Sequence, residues 1–187
     1  MFLCRDKSFF NTPINIFYSK RIGGNFFFDD YNYQTIINNT AKLIGNTNKG
    51  FSYGFLLSES LIDINKNLLD KRIIKTTTSR LTKDILNGNS YLGIIHTNYK
   101  DSQDTSMVFS LDGLISLFDN RLKIDGQTVT SSLNSLNQER GESYEISYSD
   151  KILNSTFDFL DGKIFDIWVN YERYDKGFNI EHMGYLR

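Results

Sequence analysis

A strict two-residue alternation, recurring in short runs punctuated by turn dipeptides, constrains this chain most. It is clearest at residues 165–171, where Phe165, Ile167, Val169 and Tyr171 fall on one face of an extended strand and Asp166, Trp168 and Asn170 on the other. Asp161-Gly162 precedes this run, and an Asp-Gly pair tolerates the positive φ angles of a tight hairpin turn. Residues 156–172 therefore read as a hairpin against which earlier strands pair or pack.

The same grammar runs through the chain. Ile14, Ile16 and Tyr18 alternate, Gly23-Gly24-Asn25 signals a turn, and Phe26 to Phe28 begins a return. Residues 51–57, 73–78 and 91–97 read as strands, and residues 38–50 as a loop around a short apolar patch. Residues 58–71 fit either a helix on Leu61, Ile64 and Leu68 or two short strands. Residues 79–86 read as a helical turn stopped by Asn87-Gly88. A meander follows, with turns expected at Asp112-Gly113, Asp119-Asn120 and Asp125-Gly126, a polar loop over 131–141, and a strand on Tyr144, Ile146 and Tyr148. Residues 175–187 fit a short helix or a last strand. Many short strands without long amphipathic helices predict an all-β antiparallel sandwich or jelly roll with one or two short helices. An arm over residues 1–12 precedes a single domain over 13–187.

Length allows one core, since a chain of 187 residues buries roughly 70% of its unfolded surface. A net charge of -1 supplies no field for nucleic acid, so no nucleic-acid partner is expected. Cys4 is the single cysteine, which rules out an internal disulfide. Residues 1–20 meet Arg5, Asp6 and Lys7 almost at once, so no signal peptide is expected, and no apolar run reaches the length of a membrane-spanning helix, so a soluble protein with no membrane span is expected. The expected location is a virion or the cytoplasm. Phe2, Leu3, Phe9 and Phe10 make the arm apolar enough to require docking, on its own domain or on a neighbour.

Chemistry-bearing patterns are sparse. Gly50-Phe51-Ser52-Tyr53-Gly54 matches the G-x-S-x-G nucleophile elbow, and His182 lies downstream as a possible base. That chemistry needs Ser52 on a sharp strand-to-helix bend within parallel β-α-β units, which the hairpins here argue against. His96 and His182 are the only histidines and have no ligand spacing, so no metal site is assigned. Asp29-Asp30, residues 101–104 and Asp119-Asn120 are oxygen-rich loops of the kind calcium accepts, with solvated turns as the plain alternative. The acidic pairs Glu142/Glu145 and Glu172/Asp175 carry no glycosidase motif. Tyr99, Trp168 and Tyr174 are the rings a glycan platform could use, with burial in the core or an interface as the alternative.

Gly162, Ile164, Asp166, Ile167 and Val169, with Arg173 and Ile180 beyond them, form a string that resembles the closing strand of laminin-G-like, concanavalin-type jelly rolls. The resemblance covers about twenty residues, and Asn170 stands where that family carries an aromatic. It implies a β-sandwich that commonly binds glycans or proteins, without carrying over a ligand site. The expected function is a non-enzymatic structural or attachment module of a larger assembly. A bacteriophage capsid-decoration, head-fibre or tail component, bound to its own copies or to virion neighbours, is the leading form. A lectin-like glycan-binding domain is the second expectation, and a hydrolase on Ser52 and His182 the third.

Overall fold

In the computed structural model, described for residues 7–17, 22, 25–28, 31–63, 71–102, 104–134, 138–150, 165–176 and 178–180, the protein is all-β and antiparallel. Nine strands follow one another in a single sheet in chain order. They are β1 (Asn25–Phe28), β2 (Tyr31–Asn46), β3 (Phe51–Asp63), β4 (Lys71–Ile85) and β5 (Ser90–Lys100). Then come β6 (Thr105–Leu117), β7 (Leu122–Leu133), β8 (Gln138–Asp150) and β9 (Phe165–Tyr174). Beyond short β1, the strands hold 10 to 16 residues, well above the usual five or six. The short helical elements with described bounds are 3-10 turns at Lys7–Phe10 and Leu86–Gly88.

Several local expectations give way to the ladder. Residues 79–85, expected as a helical turn, continue β4, where Arg80 pairs with Gly54 and with Ile95. Residues 38–46 belong to β2, interrupted only by a register shift between Ile37 and Asn39. Asp112-Gly113 and Asp125-Gly126 lie inside β6 and β7, and Gly113 pairs directly with Gly126. Neither of those glycines has positive φ, so the residue that licenses a tight turn is not used as one. The turn at Asp119-Asn120 does form, with both residues left-handed. Asp161-Gly162 and residues 64–70 lie outside the described residues, as do residues 181–187.

Residues paired across strands share a face, so the register sorts every strand into an inner and an outer set. The inner face carries Leu56, Ile74, Ile95, Val108 and Val129, all buried, among many hydroxyls. A strap formed by residues 7–17 together with Ile22 lies against it. Phe10, Ile14, Ile16, Phe17 and Ile22 join the inner aliphatics in one hydrophobic cluster, which Phe178 and Ile180 complete from the C-terminal side.

Two glycines make room for these segments. A Cβ on Gly54 would stand 2.5 Å from the Phe9 ring, and one on Gly141 would stand 2.8 Å from Phe178. Polar anchors fix the strap's backbone. Gln127 accepts from the Ile14 amide and donates to the Ile14 carbonyl at 3.2 Å, Arg80 donates to the Asn11 carbonyl, and Ser60 donates to the Ile22 carbonyl at 2.8 Å. The Ile14 amide and the Asn11, Ile14 and Ile22 carbonyls thus find partners in side chains of the sheet.

Candidate functional site

The surface that sets this molecule apart is the outer face of the sheet. On β6, Met107, Phe109, Leu111, Ile115 and Leu117 all point outward and are each between 37% and 47% exposed. Phe51, Tyr53, Phe55 and Leu57 continue the surface on β3, Leu81 on β4, Leu92 and Ile94 on β5, and Ile124 on β7. Tyr144 extends it on β8, and Ile167, Val169 and Tyr171 on β9. An ordinary monomer's largest apolar patch covers roughly 300–600 Å²; here exposed apolar side chains occur on seven successive strands.

The inner face is polar where the outer is not. Ser58, Ser60, Thr76, Thr78, Thr97, Ser106, Ser110, Ser131 and Ser143 all lie inward and are buried. An antiparallel sheet in water reads apolar inward and polar outward; this one reverses that pattern over much of its area.

Arg80 and Asp112 form an ion pair within the inner face. Arg80 donates to Asp112, and both side chains are almost wholly buried. Gly93, directly opposite Asp112, leaves the space the carboxylate fills. Burial pushes the Asp112 carboxyl above the usual carboxylate range, against the pull of Arg80 and the Tyr91 hydroxyl. The same burial raises Tyr91, with Asp112 adding to it. Gln127 pairs with Asp112 across β6 and β7 and donates to Ser110 at 2.9 Å, so this polar cluster is continuous with the anchors of the strap.

The residues picked from sequence are not gathered at one place. Tyr99 lies on the inner face of β5, 7% exposed, with its hydroxyl donated to Asp101 at 3.0 Å. Its pKa is raised by burial and then by Asp101. Trp168 and Tyr174 lie on β9, four strands away; Trp168 is 64% exposed and Tyr174 stacks on Phe178 with ring centroids 5.5 Å apart. Tyr99 is thus a buried ring, not an open platform. Phe9 and Phe10 lie on the inner face as part of the strap, while Phe2 and Leu3 lie outside the described residues.

Ser52 is an ordinary member of β3, paired with Asn46 and Thr82, and not the apex of a bend. His182 lies outside the described residues. His96 stands on the outer face, paired with Phe109. Among the described residues no group of three or more His, Cys, Asp or Glu is placed to hold a metal. Asp101 is occupied as a turn residue, accepting from the Asp104 amide at 2.7 Å. Arg140, Glu142, Arg173 and Asp175 line a shallow charged depression beside the apolar surface, with Arg173 3.9 Å from Asp175.

Sequence reading expects sheet faces apolar enough to want partners, but names interface residues only on the arm and not on the outer face. Alternation gives two faces without saying which one is buried, and the Ser/Thr set recurring on one parity of β3 to β8 was the clue. Among the described residues no helix is long and apolar enough to cross a membrane, a statement about helices alone. No family model, no curated protein and no solved structure matches this chain.

Proposed function

We propose that this protein is a non-enzymatic, membrane-embedded β-sheet protein whose outer face meets lipid chains and whose interior is filled by its own terminal segments. The observation that carries this reading is the reversed patterning: apolar side chains outward, hydroxyls and the Arg80–Asp112 ion pair inward. Strands that face hydrocarbon on one side and a polar interior on the other follow that rule. Strand length fits as well, since a tilted strand needs about 9–11 residues to cross a bilayer, and β2 to β9 each have at least 10.

The apolar surface also crosses the ladder obliquely. One register row runs Tyr53, Leu81, Ile94, Leu111 and then turns polar at Thr128, Glu142 and Arg173. The row through Phe55 carries Ser79 and His96 before Phe109 and is polar again at Thr130 and Arg140, whereas Ile124 and Ile167 keep β7 and β9 apolar toward the other end. Strands tilted by about 40° through a flat slab generate such a drift. On β6 the span from Met107 to Leu117 is about 34 Å along the strand at roughly 3.4 Å per residue, or about 26 Å across the slab at that tilt. A membrane strand's apolar band is about 25 Å tall.

In this reading the sheet curls around the strap as a barrel-like wall in place of the sandwich or jelly roll expected from sequence. Ile16 is completely enclosed although it belongs to no paired strand, as a segment inside such a wall would be. Each of the five buried strap side chains contributes about 1.5–3 kcal/mol by leaving water. Together they make the strap a fixed filling and not a gate.

Lipid flotation tests the reading. Purified protein folded with phosphatidylcholine–phosphatidylglycerol vesicles should rise with them through a density gradient and resist extraction by high salt and carbonate. The attachment-module reading, in which protein neighbours of a virion or its own copies cover the same face, expects a discrete oligomer that ignores vesicles. That second outcome would sink the membrane proposal.

A further inference from the structure

The two ends of the sheet differ. At one end charged side chains cross the outer face, Glu59, Lys75 and Lys100 on β3 to β5 and Arg140, Glu142 and Arg173 on β8 and β9, with Ile36, Leu61 and Ile73 beyond them on β2 to β4. At the other end lie the hairpin turns of β2–β3, β4–β5 and β6–β7, and the apolar surface continues into two of them. Leu86 tips the β4–β5 hairpin and is 55% exposed; Phe118 tips the β6–β7 hairpin and is 62% exposed.

Both residues are held in left-handed backbone, at φ 47° and 53°. Side chains with a Cβ are disfavoured there, and glycine or asparagine is the usual occupant. Neither ring nor isobutyl group is sheltered by the fold in return for that strain. The Phe118 turn is nonetheless well tied, since Arg121 donates both its amide and its Nε to the Phe118 carbonyl at 3.1 and 3.0 Å. Ser116 donates to Asn120 at 2.7 Å across the same turn.

Charge distinguishes this end as well. Lys49, Lys83, Arg121 and Lys123 outnumber Asp84 and Asp119 around these turns. Lys83 donates to the Lys49 carbonyl and lies 4.5 Å above the Phe51 ring, an aromatic–cation pair at the boundary of the apolar surface.

Resting on the membrane reading above, we propose that the hairpin tips carrying Leu86 and Phe118 are a lipid-headgroup anchor. The two side chains sit at the boundary between acyl chains and headgroups, beside cations suited to anionic phosphates. The Arg140–Arg173 end stays in water. Continuity with the outer apolar face and the local excess of positive charge select an anionic lipid surface as the occupant. Strain tolerated at residues whose side chains stand more than half exposed fits side chains retained for what they meet outside.

Tryptophan depth measurement tests this on the full chain. In a W168F background, F118W, L86W and R140W are folded with phosphatidylcholine–phosphatidylglycerol vesicles, with and without brominated lipid. The F118W and L86W emission should shift to the blue and be quenched by bromines placed near the headgroups, while R140W should keep water-like emission. Floating protein with water-like F118W emission, or with R140W equally quenched, overturns the anchor and leaves the membrane reading intact. Failure of every variant and the parent to float overturns both. F118G supplies an independent arm: it relieves the left-handed strain, so the thermal midpoint should hold while the vesicle-bound fraction falls by about tenfold. An unchanged bound fraction counts against the anchor.

Discussion

On β6 the side chains of Ser106, Val108, Ser110 and Asp112 are all nearly fully buried, whereas Met107, Phe109 and Leu111, one residue out of step, are close to half exposed. Over Ser106 to Asp112 three of the four inner positions are polar and none of the three outer ones is. A sheet made for water does the opposite, because water solvates the outer polar groups and the core excludes them. Arg80, Asp112, Gln127, Ser110 and Ser60 partner one another or the strap, while Arg80 Nε, Asp112 Oδ1 and the Thr78 and Thr97 hydroxyls are buried without a hydrogen bond. The outer face has no internal reason to be apolar. Stability should therefore reside on the inner parity and association on the outer.

The sharpest break of this comparison is at the ion pair. Asp112→Ala leaves Arg80 buried and uncompensated, and should cost about 3–5 kcal/mol in a urea titration. Replacing both partners with apolar residues of similar volume, Arg80→Met with Asp112→Leu, should recover most of that loss. If the double variant is as unstable as the single one, the pair is specifying the fold through Asn11 and Tyr91, not merely neutralising itself.

A smaller loss is expected where the wall meets the strap. Gln127→Ala removes the acceptor of the Ile14 amide and a donor to Ser110, while the Ile14 carbonyl keeps the Thr12 hydroxyl. Leaving buried groups unsatisfied costs about 1–3 kcal/mol each, with relaxation and water recovering part of it, so a total near 2 kcal/mol is expected. Amide exchange at Ile14 and Ile16 should accelerate more than exchange in β6. Equal protection in the variant would show that apolar contacts alone seat the strap.

The antiparallel class was legible because period two and turn dipeptides are local signals. The run at residues 165–171 became β9, and residues 51–57, 73–78 and 91–97 fall inside β3, β4 and β5. What could not be read was where strands continue. Asp112-Gly113 looks like a hairpin, but Asp112 is held by Arg80, distant in sequence, and Gly113 faces Gly126 across the ladder. Residues 38–46 and 131–133 looked like loops because an inner face rich in Ser, Thr and Asn has a loop's composition. That an apolar arm docks was legible from Phe9 and Phe10, but where it docks was not, because no pattern in residues 7–22 announces Gln127 or Ser60.

Outward substitutions should barely touch folding. Phe109→Ser or Leu111→Ser removes side chains that already stand in the open, so midpoints should move by no more than about 0.5 kcal/mol. Their vesicle-bound fraction should fall nonetheless. A loss of stability as large as that of Gln127→Ala would mean that the outer face packs on something within the chain, and the contrast between faces would fail.

The smallest effect concerns a repulsion inside the wall. Asp125 and Glu145 are cross-strand neighbours on the inner face of β7 and β8, and like charges set directly opposite are unfavourable. Burial, then Glu145, raises the Asp125 carboxyl above its usual range. A carboxyl that holds its proton more tightly in the folded state gives its full contribution below the unfolded value of about 4. That contribution is lost as pH climbs through the raised folded value. Wild-type stability should therefore decline slightly from pH 4 toward neutrality. Asp125→Asn should flatten the decline, matching the parent near pH 4 and exceeding it by less than about 1 kcal/mol at pH 7, since water screens a half-exposed site. If the variant is instead weaker at pH 7, the carboxylate is serving the wall as an acceptor, and its neighbour's charge is not what limits it.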